Sequence, residues 1–355
     1  MEILKVLYRA ASAIVLDEPT SLLTPQEATQ LMGVLRKLAA SGRAVILITH
    51  KLHEVAAVSD RVTVLRGGRV VGTLSTRQVD PQLLAKMMVG REVVPGPRSA
   101  SSHAGGPVLQ LQDVWARSDR GSAALRGISL ELRAGEILGL AGVSGNGQKE
   151  LAEVIAGLRR VASGRVVLRG RDVTNSAPAD RIAKGLAYVP EERTLLGSIP
   201  SFTVAENVVL KDHHKPPHAR WLFLQPSAIR KRASELVQYF DIKVPSVDAP
   251  VSHLSGGNLQ RLILGRELSG NAAVLVAAYP TQGLDVAAVE HVHRRLLDAK
   301  GRGTGVLLIS HDLDEILALS DRVAVIFEGQ VVRVMDRESV DARRLGLLMT
   351  GLRDE

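Results

Sequence analysis

Asp17-Glu18-Pro19-Thr20, which ends the apolar run Ala13-Ile14-Val15-Leu16, falls on Ala278-Tyr279-Pro280-Thr281 at an offset of 261 residues. The same offset carries His50 onto His311, Ser59-Asp60-Arg61-Val62 onto Ser320-Asp321-Arg322-Val323, Gly68 onto Gly329 and Gly90 onto Gly351. No gap is needed from about residue 13 to residue 90. An ungapped match of that length marks two homologous domains. Residue 1 falls on residue 262, so the stretch 108–261 has no counterpart ahead of residue 1. The chain therefore reads as one and a half copies of a two-copy protein, and the expectation is an N-terminally shortened form lacking about 150 residues.

Composition narrows the class. Across 355 residues, 45% are hydrophobic and 23% charged, which suits a globular chain with two cores. The longest apolar run is the eight residues Ala272 to Tyr279, too short to cross a bilayer. The first residues lack a long apolar stretch and do not read as a secretory signal. With no cysteine there are no disulfides, thiol nucleophiles or cysteine-bound metals. The net charge of +8 is interspersed with acids and forms no block, so a solvated basic surface is expected and no nucleic-acid partner.

Strand and helix patterns alternate through residues 1–92, with strands at 13–16 and 44–49, a helix at 25–40, and a hairpin at 62–74 turning at Gly67-Gly68. That alternation predicts a parallel sheet covered by helices. Residues 93–107, rich in Pro, Gly and Ser, read as a linker. A complete domain is expected over 108–355. It opens with antiparallel strands at 108–114 and 127–132, continues with a strand at 137–141 and a helix at 150–158, and carries a helical insertion at about 191–250. His213-His214-Lys215-Pro216-Pro217-His218 has irregular spacing and adjacent prolines, and is expected to be a solvated loop rather than a metal site.

Gly142-Val143-Ser144-Gly145-Asn146-Gly147-Gln148-Lys149 lies between a strand and a helix, the setting of a phosphate-binding loop. Glycines let backbone N–H groups curl around phosphates, and the helix start adds its positive dipole. Here Gln148 stands at the phosphate-reaching lysine position and Lys149 at the magnesium-binding hydroxyl position. For Lys149 to substitute it must swing back through roughly 100° around the helix. Further on, Leu254-Ser255-Gly256-Gly257-Asn258 opens an amphipathic helix, a second anion-facing helix start.

The order of these motifs resembles the ATP-binding cassette ATPases: Gly-rich loop, Tyr188-Val189-Pro190-Glu191, signature at Ser255-Gly256-Gly257, apolar strand with acids, then a strand ending in His. The tract Glu136 to Gln148, together with Tyr188 to Arg193, looks like the second cassette of the double-cassette ATPase subunits of bacterial simple-sugar and nucleoside importers. The resemblance implies an α/β P-loop NTPase fold with one partial and one complete cassette, the latter with a helical subdomain. It also implies ATP and magnesium as cofactors. Asp17 is implied as magnesium ligand, Glu18 as the group polarising the attacking water, and His50 as the γ-phosphate contact. Gly142, Ser144, Gly145, Asn146, Gly147, Gln148, Lys149 and Glu191 are implied at one nucleotide, and Ser255, Gly256 and Gly257 opposite the acids of the first copy. Ala278 and Tyr279 replace the second copy's acids, so that copy is expected not to hydrolyse ATP by itself. Trp115 lies close to where an adenine-stacking aromatic is placed, with core packing at a strand end as the alternative reading, and residues 194–225, with Phe202, Trp221 and Phe223, are where a membrane subunit docks. The implied partners are integral membrane permease subunits and, indirectly, an extracytoplasmic solute-binding protein, with the chain peripheral on the cytoplasmic face of the membrane. Two rival readings are a soluble cassette ATPase of the translation-factor branch and a catalytically inactive cassette fragment that acts only as an interaction module.

Overall fold

In the computed structural model the described residues are 5, 11–20, 23, 25–49, 51–66, 68–76, 80–89, 105–270, 272–340 and 342–351. His50 and all of the expected linker up to residue 104 lie outside them. The chain divides into two units, residues 1–97 with Asp285–Ala287, and the remainder.

The front unit runs β1 (Ala13–Asp17), α1 (Pro25–Ala40), β2 (Ala44–Ile48), α2 (Leu52–Val58), β3 (Arg61–Arg66), β4 (Arg69–Ser75) and α3 (Pro81–Val89). β1 and β2 pair in parallel from Ala13↔Ala44 to Asp17↔Ile48. A parallel pair needs a crossover, and the 16-residue α1 supplies it. The buried side chains of Ile14 and Leu16 meet Leu31, Met32 and Leu35 of α1. Val15, Ile46 and Ile48 are more than half exposed, so β1 alternates buried and exposed along its length.

The second unit opens with an antiparallel layer, in sheet order β6-β5-β8-β9, from β5 (Pro107–Arg117), β6 (Ala123–Arg133), β8 (Ser163–Leu168) and β9 (Arg171–Asp172). Between them, β7 (Ile137–Ala141) leads through the Gly-rich loop into α4 (Gln148–Ala156). Next come α5 (Pro178–Ala183), β10 (Leu186–Val189), α6 (Val204–Val208), the small hairpin β11 (Ala219–Arg220) and β12 (Phe223–Leu224), α7 (Pro226–Tyr239) and α8 (Gly256–Leu268). The chain finishes with β13 (Val274–Ala278), α9 (Val286–Gly301), β14 (Gly305–Ile309), α10 (Leu313–Leu319), β15 (Arg322–Phe327), β16 (Gln330–Asp336) and α11 (Ala342–Met349). The main sheet is ordered β10-β13-β14-β7-β15-β16 and is parallel except for β16. β7, β13 and β14 are buried at every position, as strands covered on both faces must be. The loop strand β7 thus sits between β14 and β15 in the middle of the sheet.

The 261-residue offset survives in three dimensions inside each unit. β13 pairs with β14 from Val274↔Gly305, the register of Ala13↔Ala44. The β3–β4 hairpin shifts register between Val64 and Leu65, and β15–β16 between Val325 and Ile326. Gly68 and Gly329 turn their hairpins at φ 74° and 78°. Glu18 and Tyr279 both adopt left-handed backbone, φ 42° and 48°.

The expected helix at 150–158 starts two residues earlier, because Gly147 at φ 105° forms the cap and frees Gln148 for the first turn. The far end stops at Gly157, φ 80°, where the buried Arg181 guanidinium donates to the carbonyls of Val154 and Ile155. The helical insertion holds one element that composition did not suggest. Thr203 and Glu206 form a reciprocal capping box that starts the five-residue α6 within an otherwise irregular stretch.

Leu35 is 1% exposed in the small front core. Leu35→Ala is expected to cost about 3 kcal/mol by cavity formation, read as faster amide exchange along α1. A loss below about 1 kcal/mol would show that α1 does not depend on that contact.

Candidate functional site

The loop after β7 is built by glycines that tolerate no side chain. A Cβ on Gly147 would sit 2.8 Å from the Ala124 carbonyl, and one on Gly142 would sit 2.6 Å from the Gln148 amide. Gly145 takes φ 89°. Asn146 ties the loop to the β15–β16 turn, accepting at its Oδ1 from the Glu328 amide (2.7 Å) and at its carbonyl from Gly329 (3.0 Å). Its own Nδ2 donates to the Val143 carbonyl at 2.9 Å, so the Asn146 side chain is used inside the loop. Ser144 and Gly145 are exposed at its crest.

The two residues in doubt point opposite ways. Gln148 is 2% exposed and donates through Nε2 to the Val143 carbonyl at 2.9 Å. It braces the loop from within and brings no charge to it. Lys149 is half-exposed, with Nζ 3.9 Å from both Glu153 and Glu192. Its charge is directed along the outer side of α4, as the rotation between successive helical positions requires. Glu191 lies at the surface with its carboxyl partly shielded, and that partial burial and then Glu192 push the carboxyl up, against a lowering by Lys149.

At the end of β13, Ala278 and Tyr279 are buried. The Tyr279 ring stacks on His311, with centroids 4.2 Å apart and planes at 28°. Burial, then Glu191 and Glu150, push the Tyr279 phenol well above its ordinary range, so it stays neutral and donates rather than accepting a proton. Burial lowers His311, and a backbone hydrogen bond with Gly142 acts in the opposite direction. Loop, Glu191, Tyr279 and His311 thus form one neighbourhood in this unit, closed by an aromatic pair where acids were absent from the sequence.

In the front unit Asp17 is exposed at the carboxyl end of β1, followed by half-buried Glu18, whose amide donates to the Ile48 carbonyl at 2.8 Å. Tyr279 repeats that bond to Ile309, also at 2.8 Å. Asp17 offers the hard oxygen that magnesium prefers. Among the described residues no three His, Cys, Asp or Glu cluster as a metal cage.

The signature opens α8. Ser255 caps it, its Oγ accepting from the Asn258 backbone amide at 3.5 Å and from Asn258 Nδ2 at 3.0 Å, while Asn258 Oδ1 accepts from the Lys243 amide at 2.9 Å. Ser255 and Gly256 are exposed, and a Cβ on Gly256 would meet only the Arg193 guanidinium at 3.8 Å. Gly257 is half-buried beside Ala288. The helix start is therefore open to an anion, and Arg193 beside it donates to the Gln282 carbonyl. Asp17 and Glu18 belong to one unit and Ser255 to Gly257 to the other. Trp115 is 38% exposed on β5 and donates to Asp113 Oδ1 at 3.1 Å, so it is not packed in the core. Sequence reasoning missed the inward Gln148 amide and the Tyr279–His311 stack; only the 261-residue offset placed the latter two at neighbouring strand ends.

The family profile described as ABC transporter matches residues 125–282. It finds one cassette in this chain, and the expectation of a second rests on the internal repeat. The glucose import ATP-binding protein TsgD13 of Haloferax volcanii is 49% identical over 353 residues, which are 99% of this chain and 64% of that protein. The nucleoside import ATP-binding protein NupA of Lactococcus lactis subsp. cremoris is 43% identical, over 99% of this chain and 69% of its own length. The chain thus spans about two thirds of these curated relatives. Among solved structures, a nucleotide-free ATP-binding cassette from an ABC transporter aligns at TM-score 0.56 and 23% identity, covering 68% of this chain and 96% of that one. The cassette MJ0796, solved as a dimer bound to ADP and Pi, aligns at TM-score 0.56 and 24% identity, covering 65% and 100%. At these identities the structures establish the fold, and with the identity to NupA they show that this chain belongs to the ATP-binding cassette family of ABC transporter proteins.

Proposed function

We propose that the chain is the ATP-binding part of an ABC importer for simple sugars or nucleosides, with two unlike nucleotide sites. The observation that carries this reading is the asymmetry of one strand end. Asp17-Glu18 and Ala278-Tyr279 occupy the same turn at the same offset, one pair acidic and one neutral. In the front copy Asp17 would hold magnesium, and Glu18 would orient a water and accept its proton. Magnesium, when bound, supplies charge neutralisation on the phosphates, which phosphoryl transfer needs more than covalent help. His50 would contact that nucleotide's terminal phosphate, and in the second unit Ser255 to Gly257 would present the α8 start to a phosphate. The rear loop would hold a second nucleotide through backbone N–H groups, without a lysine or a metal-binding acid, and would not cleave it.

The solute class is drawn from relatives named for glucose, nucleoside, guanosine and ribose import, a range that keeps both sugars and nucleosides in the reading. Membrane permease subunits are the proposed direct partners, with a solute-binding protein acting through them, and the proposed place is the cytoplasmic face of the membrane. Among the described residues no helix is long and apolar enough to cross a membrane. Leu195, Leu196, Phe202, Trp221 and Phe223, all exposed in the helical insertion, supply an apolar docking surface. A second reading is favoured by the inward Gln148 amide: taken alone, the rear cassette is a docking and regulatory module.

In a transporter reconstituted from this protein and its permease subunits, Glu18→Gln is expected to lower magnesium-dependent ATP hydrolysis by about 10²–10³-fold, the scale of a lost general base. Tyr279→Phe should leave the rate within about twofold, because the ring and its stack persist. Equal sensitivity at both positions would overturn the asymmetric reading. A proton titration by NMR probes the rear site directly. His311 is expected to titrate below 6.5, and Tyr279→Ala, by exposing the imidazole, to raise it towards 6.5. Because its folded value is depressed, His311 weakens the fold as pH falls through 6.5, and the deficit is complete below the folded value.

A further inference from the structure

Glu54, on α2, is 2% exposed, a carboxylate taken out of water. Such a group is retained only where donors surround it. Its Oε1 accepts from the hydroxyl of Thr20, itself 2% exposed, and its Oε2 accepts from the Thr49 hydroxyl at 2.9 Å. Thr49 Oγ1 in turn accepts from the Lys51 amide at 3.0 Å, and Lys51 Nζ lies 3.8 Å from Oε1. Thr20 is the third residue after Asp17, on the turn that carries Glu18, and Thr49 is the residue before His50. One buried carboxylate therefore ties together the ends of two neighbouring parallel strands, at the two points where the proposed chemistry leaves the sheet.

The rear copy supplies the comparison. Its counterparts at the same offset are Thr281, Ser310, Asp312 and Glu315. Ser310 Oγ still accepts from the Asp312 amide at 3.0 Å, as Thr49 does from Lys51. Glu315, however, is turned to His293 Nε2 at 2.9 Å, and its Oε2 has no hydrogen-bond partner. The front residue aligned with His293 is Met32, which offers a carboxylate nothing. So the carboxylate bridges the strand ends in the copy that has acids, and is diverted to a helix histidine in the copy that has lost them.

We infer that Glu54 is a positioning residue for hydrolysis: it locks the Asp17–Thr20 turn to Thr49 at the end of β2. This rests on the hydrolytic reading above for its consequence, but not for its geometry. It acts through Thr20 and Thr49 and touches no nucleotide. Two hydroxyl donors to one buried carboxylate, Thr20 buried and Thr49 half-buried, make a cooperative network, so removing the centre orphans both ends at once.

The test measures amide exchange and steady-state ATP hydrolysis on the same reconstituted transporter, for wild type, Glu54→Ala, Glu54→Gln and Glu315→Ala. Glu54→Ala should accelerate exchange at Glu18 and Lys51 by about tenfold or more while the amides of α1 keep their protection. It should lower kcat by about tenfold with KM within twofold, as loss of alignment does. Glu54→Gln keeps the volume and one acceptor and should recover most of kcat, and Glu315→Ala should leave exchange at Glu18 unchanged. Unaltered exchange at Glu18 in Glu54→Ala overturns the brace. Exchange that rises equally along α1 shows a merely structural role and overturns it too, as does local loosening with an unchanged kcat. If wild type fails to hydrolyse ATP, the hydrolytic reading falls, and the exchange data alone decide whether Glu54 holds the two strand ends together.

Discussion

Each copy ends a parallel strand by turning into left-handed backbone while the turning residue keeps one hydrogen bond to the next strand. Glu18 donates to Ile48 and Tyr279 to Ile309, both at 2.8 Å. A non-glycine residue resists that conformation, so the bond and the parallel register must hold it there. The result is a fixed platform at the carboxyl edge of the sheet, the edge at which parallel α/β folds place their ligands. The loop after β7 and the Tyr279–His311 stack are set by this edge in the second unit, and the Asp17–Glu18 pair by the matching edge of the front unit's own sheet. A change of side chain there alters chemistry with little cost to fold, because the backbone bond does not depend on what the side chain is.

Much of the architecture was readable because the repeat and the apolar periodicities agree. β1, α1, β2 and the β3–β4 hairpin fall where the sequence places them, since each is short, apolar on one or both faces and bounded by turn residues. The signature start was equally plain, because a Ser followed by two glycines ahead of an apolar run is a capping pattern with one physical meaning. The loop helix was misplaced by two residues because a left-handed glycine cap can stand where sequence shows only a Gly-rich turn. The α6 capping box hid in a stretch whose polar composition reads as irregular.

What the sequence could not convey were side-chain directions and contacts between distant positions. That Gln148 turns inward and Lys149 outward follows from helix geometry only once the helix start is known. The link from Glu54 to Thr20 spans 34 positions and forms no motif. A buried Glu on a short helix reads as an ordinary surface acid until its burial is seen. The offset between the copies is the one signal that could have raised the question, since it sets Glu54 beside Glu315 and Met32 beside His293.

The two copies agree in register, bulge and turn, and at the strand end they differ in charge. The front edge presents an exposed carboxylate beside a second one, an arrangement that is stable next to a hard cation and repulsive towards bare phosphates. The rear strand end presents an aromatic stack of Tyr279 on His311 in place of the two acids. An anionic ligand at the rear would meet little repulsion from the strand end and would gain chiefly from backbone N–H groups at the start of α4. Such a site can favour binding without favouring the charge redistribution of phosphoryl transfer, because nothing in it is better matched to the transition state than to the ground state. Under the proposed function, two acids in one turn and none in its counterpart would separate cleaving a nucleotide from holding it, on turns that share register and backbone conformation.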